Sequence, residues 1–178
     1  MKNEYILENH GHFMLRAIEL AKKGTGHVSP NPKVGCVIVK DGRVIAEGFH
    51  RKFGGDHAEV DAIKNAIEDP LDATAYITLE PCTEHGKTPP CVSAIISAGI
   101  KEVFISSIDA NPEVNGRGID FLKSKGIKVH LGLLVFESKE INLGYSRWIE
   151  SGLPYVIAKV AQSADGYIGV DRNHQVWI

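Results

Sequence analysis

The chain has 178 residues, 43% of them hydrophobic, which suits one α/β domain of ordinary size and leaves a few residues beyond it. Its formal net charge of −2 and its pI of about 6.4 exclude the basic surface that nucleic-acid binding requires. It has no apolar run long enough for a membrane span, a polar start unlike a signal peptide, and an odd number of cysteines, so we expect a cytoplasmic protein that binds neither membranes nor nucleic acid.

Apolar periodicity in the first half predicts a helix, two strands and a second helix, at residues 10–23, 34–40, 44–50 and from 57 onward. Gly24 ends the first helix, and Asp41-Gly42 between the two strands is a strong hairpin signal. The second helix is predicted because its apolar residues are spaced for one helix face: Ala58, Ala62, Ile63, Ala66 and Ile67.

The second half is predicted to alternate strands and helices, at residues 73–79, 91–98, 103–107, 118–125, 127–131 and 134–150. A strand, a helix and a further strand in this order form a βαβ unit. Open sheets of this type bind ligands at the carboxyl ends of their strands, which places residues 80–82 and 107–111 at one rim. The last helix is expected to turn four side chains inward: Ile141, Tyr145, Trp148 and Ile149.

One imidazole, one carboxylate and two thiols occur in the short motif His57-Ala58-Glu59 and at Cys82 and Cys91. One His and two Cys are the ligands of a catalytic zinc in the zinc deaminases, where a Glu two residues after the His carries protons. His57 and Cys91 both stand at predicted helix starts, and exposed N–H groups there would lower the pKa of the Cys91 thiol. The pattern predicts that His57, Cys82 and Cys91 bind zinc and that Glu59 transfers protons.

Two other interpretations of these residues stay open. A lone Cys is usually a small buried hydrophobe, and a lone His is usually an ordinary surface or core residue. A structural zinc is the second alternative, because His85 or Glu59 could supply a fourth protein ligand. We favour a catalytic zinc because both helix starts and the Pro81-Cys82 pair occur together, and the eight residues between the cysteines would form a loop closed by the metal.

Several segments resemble the deaminase half of the bifunctional riboflavin-biosynthesis deaminase/reductase family, in the cytidine-deaminase-like superfamily. They cover nearly the whole chain in the family's order, at residues 31–39, 57–59, 78–82, 86–91, 109–112 and 116–118. The Gly-Lys-Thr-Pro-Pro-Cys sequence at 86–91 is specific to this family, whereas Thr83-Glu84 departs from its frequent Ser-His. The resemblance implies an α/β fold, a three-layer α/β/α sandwich around a mixed sheet of roughly five strands.

The same resemblance implies zinc-dependent hydrolytic deamination of 2,5-diamino-6-(5-phosphoribosylamino)pyrimidin-4(3H)-one to 5-amino-6-(5-phosphoribosylamino)uracil. Five residues match the family's substrate contacts: Asn31, His50, Lys87, Asp109 and Asn111. Lys87 matches a phosphate contact and Asn31 a ribose or base contact. Asp109 and Asn111 match residues that read the base. The alternatives are a zinc deaminase of another nucleoside, nucleotide or base, and a zinc-binding module without catalysis.

The chain is expected to divide near residue 150. Residues 1–150 are predicted to form the deaminase domain, and residues 153–161 have the pattern of a strand that resembles the opening of the family's reductase half. So short a segment cannot bury a core of its own, so residues 151–178 are interpreted as the start of a truncated reductase domain or as a C-terminal tail. We expect no reductase activity and no NADPH site in this chain, and the family's habit predicts a homo-oligomer.

Overall fold

The computed structural model describes residues 2–83 and 90–167, with side chains from residue 10 onward. Its helices are α1 (Lys2–Lys22), α2 (Ala58–Lys64), α3 (Cys91–Ser97), α4 (Arg117–Ser124), α5 (Val135–Glu140) and α6 (Leu143–Ser151). Its strands are β1 (Gly35–Lys40), β2 (Arg43–Phe49), β3 (Thr74–Leu79), β4 (Glu102–Ser107) and β5 (Lys128–Leu131).

The strands form one mixed sheet in the order β2-β1-β3-β4-β5. β1 is antiparallel to β2 and to β3, whereas β3, β4 and β5 are parallel. Asp41 and Gly42 join β1 to β2 with φ angles of 48° and 74°, as a tight hairpin turn with two positive φ angles requires. Parallel strands need crossover connections, and α3 and α4 supply them. The predicted hairpin and βαβ unit are both confirmed.

Helices cover both faces of this sheet. One hydrophobic core contains side chains of α2, α3 and α4, and a second core contains side chains of α1. Successive residues of a strand point to opposite faces, and β4 shows the division: Val103 and Ile105 belong to the first core and Phe104 to the second. The α/β/α sandwich expected from the sequence is therefore confirmed.

Helix α2 lies unusually close to β2 because β2 carries Gly48 at the contact. A Cβ atom at Gly48 would come within 2.2 Å of the backbone nitrogen of Ala62 and 2.4 Å of the carbonyl oxygen of Ala58. Only glycine permits so close an approach of two backbones. The fully buried side chains of Ala58 and Ala62 complete the contact and hold the start of α2 against the sheet.

Two helices have other bounds than the sequence predicts. Helix α1 begins at Lys2 rather than at residue 10. Helix α2 ends at Lys64, so Ile67 lies beyond it and is 80% exposed instead of extending its apolar face. The backbone N–H of Ile67 donates to the carbonyl of Ile45 in β2, which draws the chain away from the helix.

The long helix predicted over residues 134–150 is wrong, because the chain turns at Asn142 and forms α5 and α6 instead. The buried side chain of Asn142 accepts a hydrogen bond from the backbone N–H of Lys33 and donates one to its carbonyl, both at 2.8 Å. Ile141 packs against the core as expected, but no residue of α6 is buried and Trp148 is 54% exposed.

Residues 153–163 follow α6 without pairing to any strand of the described sheet. Their apolar side chains face outward, with Val156 81% and Ile157 79% exposed. The strand expected at 153–161 is therefore not formed, since an extended segment without a partner strand makes no ladder. The division of the chain near residue 150 stays a prediction. Across the described residues, no helix has the length and apolar character needed to cross a membrane.

Candidate metal centre and substrate cavity

Side chains from three separate parts of the chain converge beyond the carboxyl end of β3. His57 Nδ1 lies 3.0 Å from the sulfur of Cys91 and 3.6 Å from that of Cys82, and the two sulfurs are 3.4 Å apart. All three ligand atoms lie within 4.8 Å of one another. The structure thus brings together the residues that the sequence predicts as metal ligands.

Local structure explains why these side chains meet. His57 is the N-cap of α2, Cys91 is the first residue of α3, and Cys82 follows the end of β3. The backbone N–H of Cys91 donates to the sulfur of Cys82 at 3.5 Å, and that of Val92 donates to the Cys82 carbonyl at 3.3 Å. The first turn of α3 therefore closes on Cys82, which satisfies N–H groups that have no partner within the helix.

The two thiols titrate differently because they are hydrogen-bonded to each other. The contact with Cys91 lowers the pKa of Cys82 to about 4, and a hydrogen bond with His57 contributes to the same effect. The same contact between the thiols, together with burial, raises the pKa of Cys91. The lowered pKa that the sequence leads us to expect at Cys91 is therefore found at Cys82, and zinc binds cysteine in this thiolate form.

The spacing of the three atoms suits a tetrahedral zinc ion. Zn–S bonds of about 2.3 Å and a Zn–N bond of about 2.0 Å would place the sulfurs about 3.8 Å apart and the nitrogen about 3.5 Å from each. The observed distances lie within about 0.5 Å of these values. Among the described residues, Glu59 does not belong to the ligand group. His85, the other alternative fourth ligand, lies outside those residues.

Glu59 stands beside this group in the first turn of α2, and only 3% of it is exposed. Burial raises its pKa to about 7, although a hydrogen bond with Cys91 opposes the rise. A carboxyl group with this pKa exists in both protonation states near neutral pH. That is the property required of a group that accepts a proton and later returns it.

A cavity of about 320 Å³ is lined by His57, Cys82 and Glu59, while Cys91 is buried and is not part of its wall. Most of the residues predicted to have a functional role line it: Asn31, His50, His57, Glu59, Cys82, Asp109 and Asn111. Lys87, the predicted phosphate contact, and Glu84 lie outside the described residues. The cavity has the volume of a small-molecule site and is open to ligands of that size.

Asn31 and His50 form a hydrogen-bonded pair on one wall of the cavity. His50 Nδ1 donates to the carbonyl of Asp56 at 2.9 Å, so the proton of the neutral ring is on Nδ1. His50 Nε2 is then an acceptor, and it faces the amide nitrogen of Asn31 at 3.1 Å. Burial lowers the pKa of His50, which favours this neutral form. The contact uses the Asn31 amide nitrogen and leaves its carbonyl oxygen for another donor.

Asp109 and Asn111 also line the cavity, from the loop between β4 and α4. Oδ1 of Asp109 accepts from the backbone N–H of Asn111 at 2.8 Å and from the hydroxyl of Tyr145 at 2.7 Å. Burial raises the pKa of Asp109. Burial also raises the pKa of Tyr145, and the hydrogen bond with Asp109 raises it further. Oδ1 of Asp109 thus accepts two hydrogen bonds from the protein, and Oδ2 is the oxygen that a ligand can use.

Several parts of the cavity wall have no predicted role in the sequence, among them Glu80, Tyr145 and residues 53–55. Glu80 is predicted to lie at this rim because it follows the carboxyl end of a strand, but the sequence indicates no function for it. Tyr145 is predicted to face inward on a helix, and its contact with Asp109 depends on the break at Asn142. The Phe53-Gly54-Gly55 segment carries no sequence signal beyond that of a loop.

Known proteins with similar sequences include zinc deaminases. The family described as the cytidine and deoxycytidylate deaminase zinc-binding region matches residues 7–107. The chain is 51% identical over 142 residues to the diaminohydroxyphosphoribosylamino-pyrimidine deaminase of Buchnera aphidicola subsp. Schizaphis graminum, a match covering 80% of this chain and 97% of that protein. It is 50% identical over 166 residues to the riboflavin biosynthesis protein RibD of Actinobacillus pleuropneumoniae, covering 93% of this chain but 44% of that protein. The chain therefore spans less than half the length of the second relative.

Solved structures agree with these matches. A Thermotoga maritima diaminohydroxyphosphoribosylaminopyrimidine deaminase/5-amino-6-(5-phosphoribosylamino)uracil reductase has a TM-score of 0.90 at 48% identity, covering 96% of this chain and 50% of that one. The dCMP deaminase of cyanophage S-TIM5, with a TM-score of 0.52 at 23% identity, shares the fold alone. The chain belongs to the diaminohydroxyphosphoribosylaminopyrimidine deaminases, a family within the zinc-binding cytidine and deoxycytidylate deaminases.

Proposed function

We propose that this chain catalyses the zinc-dependent deamination of 2,5-diamino-6-(5-phosphoribosylamino)pyrimidin-4(3H)-one to 5-amino-6-(5-phosphoribosylamino)uracil, a step of riboflavin biosynthesis. One observation carries the proposal. His57, Cys82 and Cys91 cluster as a potential metal site, and two of them, His57 and Cys82, line one cavity with the buried Glu59, in a chain that covers 97% of a 51% identical protein named as this deaminase. We assign residues 1–150 to this activity and none of the described residues to reduction.

His57 Nδ1 and the sulfurs of Cys82 and Cys91 would hold the zinc, because their spacing and the thiolate character of Cys82 suit it. When bound, zinc supplies Lewis-acid activation of water at neutral pH. These three protein ligands would leave room for a water molecule beside Glu59, as in catalytic zinc sites.

Glu59 performs the proton transfers in this proposal. Its carboxylate takes a proton from the attacking water and passes it to a ring nitrogen while the oxygen bonds to the carbon that bears the 2-amino group. It then carries the second water proton to the departing amine. The carbon–nitrogen bond breaks, ammonia leaves, and the ring keeps a carbonyl group. One carboxylate serves both stages because attack and departure occur at the same carbon.

Residues that line the cavity bind the substrate in this proposal, together with Lys87. Asn31 offers its carbonyl oxygen to a ribose or base donor, while His50 holds the Asn31 amide in place. Asp109 and Asn111 read the base, and Lys87 binds the phosphate. A solvated surface lysine and a turn-forming asparagine are the alternative roles of such residues. We also propose, from the family, a cytoplasmic homo-oligomer.

Ammonia release by the zinc-loaded chain tests the proposal, with the phosphoribosylamino-pyrimidine, cytidine and guanine as substrates. The proposal predicts release from the first at a rate far above the other two, and loss of this activity in Glu59→Gln with the zinc content unchanged. Faster release from cytidine or guanine would identify a deaminase of another base or nucleoside. Bound zinc with no change in the absorption spectrum of any pyrimidine would identify a module without catalysis.

A further inference from the structure

We propose that Glu80 is a positioning residue for substrate binding, because its carboxylate fixes the loop that carries Asp109 and Asn111 against the segment that carries Cys82. The inference rests on the proposed function and extends it to a residue that touches neither the metal ligands' donor atoms nor any reacting atom in it. It assigns a role to Glu80, one of three buried carboxylates of the cavity wall beside Glu59 and Asp109.

Both oxygens of Glu80 are occupied by backbone N–H groups. Oε1 accepts from Gly118 at 2.9 Å and from Ile119 at 3.3 Å. Oε2 accepts from Gly116 at 2.9 Å and from Asp109 at 3.4 Å. Since each oxygen already binds two donors, Glu80 is engaged by the protein and is unsuited to carry protons. Its carboxylate instead gathers one end of the loop, at Asp109, and the first turn of α4.

The backbone beside Glu80 is fitted to this contact. A Cβ atom at Gly118 would come within 2.0 Å of the carbonyl oxygen of Pro81, so only glycine lets α4 start against the Cys82 segment. Gly116 has a φ of 82°, a left-handed conformation that suits glycine and turns its N–H toward Glu80. The backbone N–H of Glu80 also donates to Ser107 at the end of β4. Glu80 thus connects the ends of β3 and β4, the segment that carries Cys82, and the loop that precedes α4.

The loop matters because its residues form one wall of the cavity. Asp109 is held at its backbone by Glu80 and at its side chain by Tyr145 and the Asn111 N–H. A glutamine at position 80 would keep one acceptor oxygen and turn an amide NH₂ toward two N–H donors, which repels them. Asp109 and Asn111 would then lose their fixed positions relative to the metal, while His57, Cys82 and Cys91 keep their own contacts with one another.

Steady-state kinetics, zinc content and thermal unfolding of Glu80→Gln test the proposal, with Glu113→Gln as the matched control because Glu113 is exposed in the same loop. Loss of hydrogen bonds to a charged group is expected to raise KM about tenfold or more. We expect kcat to change less than KM, zinc to stay at one equivalent, and the control to match the wild type. Wild-type ammonia release is measured first: without it the proposed function fails, and with it the Glu80 variants test the inference alone.

A double variant separates positioning from a general effect on the fold. If Glu80 acts through Asp109, then Glu80→Gln combined with Asp109→Asn raises KM no further than Asp109→Asn alone. A double variant whose increase in KM is the product of the two single increases would overturn the proposal. So would an unchanged KM or a loss of zinc in Glu80→Gln alone. Should Glu80→Gln not fold, Glu80→Asp, which keeps the charge and withdraws it by one methylene, must show the raised KM. Failure of both variants to fold would also overturn a role confined to the loop.

Discussion

Replacing Glu59 with glutamine is expected to stabilise the metal-free protein at alkaline pH, although it removes activity. Glu59 is 3% exposed, and burial raises its pKa from an ordinary 4.5 to about 7. Glutamine has nearly the same shape and no charge. The substitution therefore removes the ionisation of a buried carboxyl group and leaves the packing around it in place.

The sign of the effect follows from where each state holds the proton. Between pH 4.5 and about 7 the unfolded chain releases the Glu59 proton and the folded protein keeps it, so the free energy of unfolding falls as pH rises. A difference of one pKa unit corresponds to about 1.4 kcal/mol. The wild type therefore loses about 3 kcal/mol through Glu59 by about pH 8, but less than about 1 kcal/mol at about pH 5. Glu59→Gln has no carboxyl group at this position, so its free energy of unfolding does not fall in this way at either pH.

Urea unfolding of chelator-treated wild type and Glu59→Gln at about pH 5 and about pH 8 measures this difference directly. The advantage of the variant is expected to widen by about 2 kcal/mol between the two pH values. Glu113→Gln serves as the control, because it makes the same substitution at an exposed side chain instead of a buried one. An advantage of Glu59→Gln that is equal at both pH values would refute the claim that burial raises the pKa of this carboxyl group.

Three further predictions concern the metal and two packing contacts. Removing zinc with a chelator should abolish ammonia release and lower the unfolding temperature, and added zinc should restore both; activity that survives removal would contradict the metal assignment. Asn142→Ala should cost about 1–3 kcal/mol in urea unfolding, because both polar groups of Lys33 lose their buried partner. Gly118→Ala should destabilise the fold and raise KM, since its Cβ would lie 2.0 Å from the Pro81 carbonyl oxygen, and unchanged values would show that α4 can shift freely.

The metal group could be predicted from the sequence because its geometry is mostly local. His57 and Glu59 are two residues apart at a helix start, and Cys91 opens a helix after two prolines, so each motif indicates its own backbone conformation. The βαβ unit brings Cys82 and Cys91 together, whereas the approach of His57 depends on the packing of α2 against the sheet. The same logic put the cavity at the carboxyl ends of β3 and β4, where the structure has it.

The features that the sequence does not reveal depend on partners distant in the chain. Asn142 sits in an apolar pattern that is continuous with a helix, and its partner Lys33 lies 109 residues earlier. Glu80 binds backbone N–H groups 29 to 39 residues later, and backbone groups carry no residue-type signal. Ile67 has the right spacing for the apolar face of α2, but α2 ends at Lys64, and the backbone N–H of Ile67 donates to the carbonyl of Ile45 in β2.

Zinc X-ray absorption of the metal-loaded chain tests the central claim most directly. The account predicts two sulfur atoms at about 2.3 Å and two lighter atoms at about 2.0 Å, one of them the ring nitrogen of His57 and the other exchangeable with solvent. Cys82→Ser and Cys91→Ser should each reduce the count to one sulfur. Four protein ligands, or zinc bound without either sulfur, would contradict it.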